Sequence, residues 1–356
     1  MSAPPALEII LLCGALGSGK TTLLTHFLSS RDLRDTAVIV NEAGEIGLDA
    51  AIVQAASPQD PVLLLDNGCV CCSLRGSLVQ TLLDLLHRPR PADLPALSRV
   101  VIETSGLSRP GPLLASLRDR ELLPLRPALR VVCTLDATRP DSGDLESDHL
   151  AQWAAAHRIV ITRSDLPCAV PLTAARDVAL GINPLATVIA LADPEQRAQQ
   201  ALGADPSPPS SALASASLPS QDNAMPAGFH SAARGLLTDP APAHPRVRVM
   251  QGEPAAGLTW EAFAEWVDDL SGLLGDRLLR FKAVLRPEDC TEALMLQGVG
   301  ATFGAPTRAG AVFAQLGDRP TIIVIARDVD GEEVTRELPD APVTLRVVRS
   351  RRALFA

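Results

Sequence analysis

The chain has 356 residues, enough for two domains that each bury a core; 47% are hydrophobic but only 3% aromatic, with no tyrosine, so the core must be aliphatic. A net charge of -9 and a pI near 5.2 provide no basic face for nucleic acid or anionic lipid, and no apolar run reaches the ~20 residues of a membrane span. The first residues lack the basic-then-apolar order of a signal peptide, and seven cysteines, an odd number, fit a cytoplasmic protein better than a disulfide framework.

Residues 9–13 are an apolar run that predicts a buried strand, and residues 21–28 predict a helix. Between them Gly14-Ala15-Leu16-Gly17-Ser18-Gly19-Lys20-Thr21 fits G-x-x-x-x-G-K-[ST] without a gap, in the strand-to-helix setting that this pattern requires. Small residues let successive backbone N–H groups turn inward on a phosphate, with the positive end of the next helix aimed at the same spot. Gly14, Gly17, Ser18, Gly19, Lys20, Thr21 and Thr22 are therefore candidate nucleotide-binding residues. Lys20 would reach the β- and γ-phosphates and the Thr21 hydroxyl would bind Mg²⁺. The competing reading is a glycine-rich turn that binds nothing.

Further strands are predicted at residues 37–40, 62–65, 99–102, 130–135, 158–161 and 187–191, alternating with helices near 74–86, 113–120, 149–156 and 172–180. That alternation predicts an α/β fold: a doubly wound, mostly parallel P-loop NTPase sheet with its site at the carboxyl edge. Alanine, serine and proline dominate from about residue 196 to 245, which reads as a linker between a P-loop GTPase domain (1–195) and a second, smaller α+β domain (246–356). The second domain shows strand patterns at 247–249, 278–285, 293–298 and 321–326, and a helix with apolar spacing at Trp260, Phe263, Ala264 and Val267.

Polar groups stand at nearly every strand end. Glu103, after the fourth strand, and Asp49, in the segment 41–49, offer the hard oxygens that Mg²⁺ or its waters take, and with Lys20 they are the candidate catalytic residues. The alternatives are a turn or cap acid for Glu103 and a solvated loop acid for Asp49. Gly106 would bring its N–H to the γ-phosphate. Asp165 could accept the paired N1–H and amino hydrogen bonds of guanine, which adenine does not present, with Thr162 and Arg163 lining the base pocket. A helix cap ahead of Leu166-Pro167 competes for Asp165.

Cys69-Val70-Cys71-Cys72 places three thiols within four residues, a set suited to Zn²⁺, Co²⁺ or Ni²⁺. Redox chemistry and simple burial are the alternatives. No second cysteine cluster completes a closed four-ligand zinc site, so an open, transient one fits better. Cys13 and Cys133 lie inside apolar strands and read as core, and the six histidines are scattered.

Together these segments resemble the CobW family of SIMIBI GTPases, relatives of the HypB and UreG nickel-insertion proteins. The family pattern G-x-x-G-x-G-K-T-T-L-L is met from Gly14 to Leu24, N-E-x-G-E-x-G-x-D from Asn41 to Asp49, N-G-C-x-C-C from Asn67 to Cys72, and E-T-x-G from Glu103 to Gly106. The second domain is similar to the family's C-terminal domain through Arg280-Phe281-Lys282-Ala283-Val284-Leu285 and Leu296-Gln297-Gly298-Val299. The resemblance implies a GTPase that uses GTP and Mg²⁺ and whose nucleotide state controls the affinity for a Zn²⁺ or Co²⁺ cargo. The cargo's ligand candidates are Cys69, Cys71 and Cys72, with Glu45 brought beside them when GTP orders residues 41–49. It would be delivered to a client metalloenzyme or a cobalamin-pathway enzyme, and a homodimer is left open. Two departures stand out. The guanine motif N/S-K-x-D is Thr162-Arg163-Ser164-Asp165, with Arg in place of Lys. The histidine-rich stretch of many relatives is replaced by the Ser/Ala/Pro segment. Rival readings are an ATP-dependent small-molecule kinase and a non-catalytic scaffold for metal and nucleotide.

Overall fold

The computed structural model describes residues 7–29, 33–40, 62–64, 74–90, 94–125, 127–139, 147–167, 169–203, 244–329 and 331–348. They divide into two compact units, one built on each of two sheets.

The first sheet contains β1 (Glu8–Cys13), β2 (Thr36–Val40), β3 (Val62–Leu64), β4 (Arg99–Glu103), β5 (Ala128–Asp136), β6 (Arg158–Thr162) and β7 (Thr187–Ile189), in the order β3-β2-β4-β1-β5-β6-β7. From β3 to β6 each neighbouring pair is parallel. Every residue of β1 is buried, and after Glu8 the strand is the unbroken apolar run expected in a sheet covered on both faces. It also lies where the strand order reverses: the chain crosses to β2 and β3, returns at β4, then crosses the other way to β5. The loop after such a strand is where open α/β sheets bind ligands.

The helices that alternate with these strands are α1 (Lys20–Ser29), α2 (Leu74–His87), α3 (Pro110–Ser116), α4 (Ser147–Ala155), α5 (Leu172–Ile182) and α6 (Pro194–Leu202). Leu23, Leu24, Phe27 and Leu28 of α1 join Ile10 and Leu12 of β1 and Ala198, Ala201 and Leu202 of α6 in one apolar cluster. Helix α6 occupies residues that the composition assigned to the start of the linker. Its local signals are strong: the Asp193 carboxylate accepts from Gln196 N at 2.7 Å, Pro194 follows the cap, and Glu195 sits in the first turn. Arg158 and Arg130 donate to its last carbonyls, at Gln200 (2.7 Å), Ala201 (3.0 Å) and Gly203 (2.9 Å). Helix α3 begins at Pro110, ahead of the predicted start, because proline at the first position needs no donor there.

The second unit holds β8 (Val247–Pro254), β9 (Leu278–Leu285), β10 (Leu294–Val299), β11 (Thr302–Phe303), β12 (Thr307–Arg308), β13 (Thr321–Arg327) and β14 (Val343–Val347). The order is β11-β10-β9-β13-β8-β14, with β12 also on β10, and the pairs are antiparallel. Helix α7 (Trp260–Leu274) is capped by the Thr259 hydroxyl, which accepts from Ala262 N, and buries Phe263, Trp266, Val267, Leu270 and Leu274. The apolar face therefore runs through Trp266, with Ala264 at its margin. Phe263 and Trp266 meet Phe281 of β9 at 6.3 and 6.1 Å between ring centroids. Two short helices, α8 (Gly310–Gln315) and α9 (Gly331–Glu337), complete the unit. No helix among the described residues is long and apolar enough to cross a membrane.

Candidate nucleotide site

The parallel register brings the ends of β1, β4, β5 and β6 to one edge of the sheet. Leu12 pairs with Glu103, Cys13 with Cys133, and Asp136 with Thr162. The phosphate loop leaves β1 at that edge and enters α1 at Lys20. Gly14, Gly17 and Gly19 all have positive φ, the alternation that turns successive amides toward one point. The N–H groups of Leu16, Gly17 and Gly19 take no acceptor within the described protein, which leaves them to an anion in front of the helix's positive end.

The loop is held from beneath. A Cβ at Gly14 would lie 2.0 Å from the Thr134 hydroxyl, so only glycine fits there. That hydroxyl shares a 2.6 Å hydrogen bond with Ser18, and the Thr162 hydroxyl donates to the Ser18 carbonyl at 2.7 Å. Ser18 and Thr162 are both buried. Thr162, expected to line the base pocket, thus turns its side chain to the loop instead. Lys20 is also buried, its ammonium donating to the Gly14 and Ala15 carbonyls at 2.9 and 3.0 Å. Cys13, just before the loop, is fully buried; hydrogen bonding with Cys133 lowers its thiol pKa against the upward push of burial, aided by Thr104 and by the Lys20 charge. Thr22 is exposed on the first turn of α1.

Thr21 and Glu103 meet. The Thr21 hydroxyl donates to Glu103 Oε1 at 2.7 Å, and Glu103 is buried at the end of β4. This excludes the helix-cap reading for Glu103 and sets two hard oxygens side by side below the loop, a donor set that suits Mg²⁺. Beyond Glu103, Thr104 donates to the Leu12 carbonyl, and the chain turns at Ser105–Ser108. A Cβ on Gly106 would lie 2.5 Å from Leu16 N, so this turn touches the phosphate loop backbone to backbone. The Gly106 N–H makes no hydrogen bond among the described residues.

At the other side, Arg163 adopts φ 54°, and its guanidinium pairs with Asp136 Oδ2 at 2.9 Å, while Asp136 Oδ1 accepts from the Thr138 amide and hydroxyl. Asp165 is exposed, and the next helix starts only at Leu172, so the cap reading fails. Beneath it, buried Arg197 donates to the carbonyls of Ile161 (3.4 Å) and Leu191 (3.1 Å). Burial pushes its guanidinium below the usual arginine value, and Asp165 and Asp193 pull it back. Asp136, Thr134 and Arg197 are not singled out by the sequence; Asp136 and Thr134 carry only the signal of a polar residue at or near a strand end, and Arg197, inside α6, carries none. Asp49, Glu45, Cys69, Cys71 and Cys72 lie outside the described residues.

Such a loop, after the central strand of a parallel sheet and backed by a threonine–glutamate pair, defines a P-loop nucleotide-binding domain. The chain belongs to the CobW/HypB/UreG family: the model of its nucleotide-binding domain matches residues 8–190, and the model of the cobalamin synthesis protein cobW C-terminal domain matches residues 252–341. It is 36% identical over 163 residues to the zinc chaperone YjiA of Escherichia coli, covering 45% of this chain and 50% of that protein. It is 37% identical over 138 residues to the zinc chaperone CobW of Pseudomonas aeruginosa, covering 37% and 34%. The zinc-regulated GTPase metalloprotein activator 1 of Schizosaccharomyces pombe is 28% identical over 188 residues, covering 51% and 44%. The chain thus matches these curated relatives over a third to a half of their length. The crystal structure of Zn(II)-bound YjiA GTPase superposes with a TM-score of 0.60 at 19% identity, over 96% of this chain and 99% of that one, which establishes a common fold.

Proposed function

We propose that this protein is a GTP-hydrolysing metallochaperone, which binds Zn²⁺ or Co²⁺ at Cys69, Cys71 and Cys72, with Glu45, and delivers it to a client metalloprotein. The observation that carries the nucleotide half is the loop itself: unclaimed amides at Leu16, Gly17 and Gly19 facing the start of α1, over the Thr21–Glu103 hydrogen bond. Lys20 would exchange the Gly14 and Ala15 carbonyls for phosphate oxygens. Thr21 and Glu103, joined by Asp49, would hold Mg²⁺, which when bound neutralises charge building up on the phosphates. Gly106 offers its N–H to the γ-phosphate, and Asp165 reads guanine, with the Arg163–Asp136 pair beside it.

The metal half is supported by the relatives' names and by where the chain leaves the sheet. Val40, the last residue of β2, pairs with both Glu103 and Leu64. The segments that carry Glu45 and Cys69–Cys72 therefore both start from the sheet edge at which Glu103 meets Thr21. Cys69 follows Leu64 by five residues, and Cys72 precedes α2 by two. Steady-state turnover with GTP and with ATP tests the reading. GTP should be hydrolysed in preference, and Glu103→Gln should lower kcat by about 10²-fold. Equal use of ATP, or a Glu103→Gln variant with unchanged turnover, contradicts it.

A further inference from the structure

Gln152, on α4, has no exposed surface and lies against the turn after β4. Its Nε2 donates to the carbonyls of Gly106 at 2.9 Å and Ser108 at 2.8 Å, which also fixes which end of the amide faces the turn. Its backbone carbonyl accepts from the Cys133 thiol at 3.1 Å, tying α4 to the strand beside β1. One turn of helix earlier, Asp148 pairs with Arg109, so residues four apart on one helix face grip the same loop at two points. The turn's own donors are used internally: Ser108 N to the Ser105 carbonyl at 3.0 Å and Leu107 N to the Ser105 hydroxyl at 3.3 Å. Among the described residues the Gly106 N–H has no acceptor, and the glycine is pressed against Leu16 of the phosphate loop.

Gln152 Oε1 is buried and has no hydrogen-bond partner among the described residues. A buried unsatisfied acceptor is destabilising, so the amide is held there at a net disadvantage on that side. An apolar residue of the same length would fill the space without that penalty. What it could not do is hold two carbonyls of one glycine turn.

We propose that Gln152 is a positioning residue for triphosphate recognition. By holding the Gly106 and Ser108 carbonyls it fixes the plane of the turn and keeps the Gly106 N–H aimed at the γ-phosphate position, without itself touching the nucleotide. This rests on the nucleotide reading above and adds a specific consequence: loss of the amide weakens the triphosphate and spares the diphosphate.

The test is binding of GDP and of the β,γ-imido analogue of GTP, each with Mg²⁺, to the full chain and to Gln152→Met, alongside kcat for GTP. The variant should lose about tenfold in affinity for the analogue, with GDP affinity within about twofold and kcat reduced, the scale of one or two hydrogen bonds. Arg109→Ala, which removes the partly exposed Asp148–Arg109 link from the same helix, should shift the same ratio in the same direction by about threefold and cannot empty the core. Equal weakening of GDP and analogue in Gln152→Met, or unchanged binding of both, overturns the proposal while the nucleotide reading stands. A wild-type protein that binds neither nucleotide overturns both.

Discussion

Lys20 bonds back onto the carbonyls of Gly14 and Ala15, so its charge is held by the loop that it is to serve. Lys20→Ala should lower GTP turnover by at least about 10²-fold, because it removes the ammonium held at the Gly14 and Ala15 carbonyls. Zinc stoichiometry, followed by displacement of a chromophoric chelator, should be unchanged, since Cys69, Cys71 and Cys72 are untouched; a joint loss would show that the two sites are not separable. Asp165 permits a sharper change. Asp165→Asn replaces an acceptor pair with one donor and one acceptor, so GTP affinity should fall and affinity for xanthosine triphosphate should rise. Competition binding with both nucleotides checks this, and a parallel loss of both would remove Asp165 from base recognition.

At the scale of elements, the phosphate loop and its flanking strand and helix were legible because glycine spacing and apolar period each have one structural meaning there. Helix α6 was not, because alanine- and glutamine-rich residues before a proline-rich stretch looked like linker, although Asp193 and Pro194 marked its start. Gln152 was illegible for another reason: nothing local marks a glutamine in an amphipathic helix, and its role exists only once α4 is set against the turn at Gly106. The Thr162 hydroxyl turns to the Ser18 carbonyl, a direction that strand-end position alone does not reveal. The supports under the loop give an element-scale expectation. Gly14→Ala would drive a methyl into the Thr134 hydroxyl, breaking the 2.6 Å Ser18–Thr134 bond, and should weaken GDP and GTP alike in an affinity titration. Unequal weakening would move Gly14 to the γ-phosphate side.

At the scale of the whole molecule, both sheets carry buried charge away from the loop. Glu8, Arg99 and Arg130 form a buried cluster at the amino ends of β1, β4 and β5, with Arg99 3.1 Å from the carboxylate and Arg130 on its other oxygen. Glu8→Gln leaves two buried guanidinium groups poorly compensated and should cost about 3–5 kcal/mol in denaturant unfolding of the first unit. In the second unit, burial, reinforced by Arg280, pushes the Lys282 ammonium well below its usual value of 10.5. The unfolded chain therefore binds the extra proton between the lowered folded value and 10.5, and stability rises with pH across that window. Unfolding followed from about pH 7 to about pH 9.5 should show that rise, and Lys282→Met should flatten it.

The nucleotide bound at Gly14–Thr21 should set the metal affinity of the cysteine cluster. Zn²⁺ and Co²⁺ affinity should be measured by chelator competition with saturating Mg²⁺ and either GDP or the β,γ-imido analogue of GTP, in the wild type and in Cys71→Ser. The two nucleotide states should differ by at least about tenfold, a difference that Cys71→Ser removes. Equal affinity in the two states would show that nucleotide and metal sites are uncoupled.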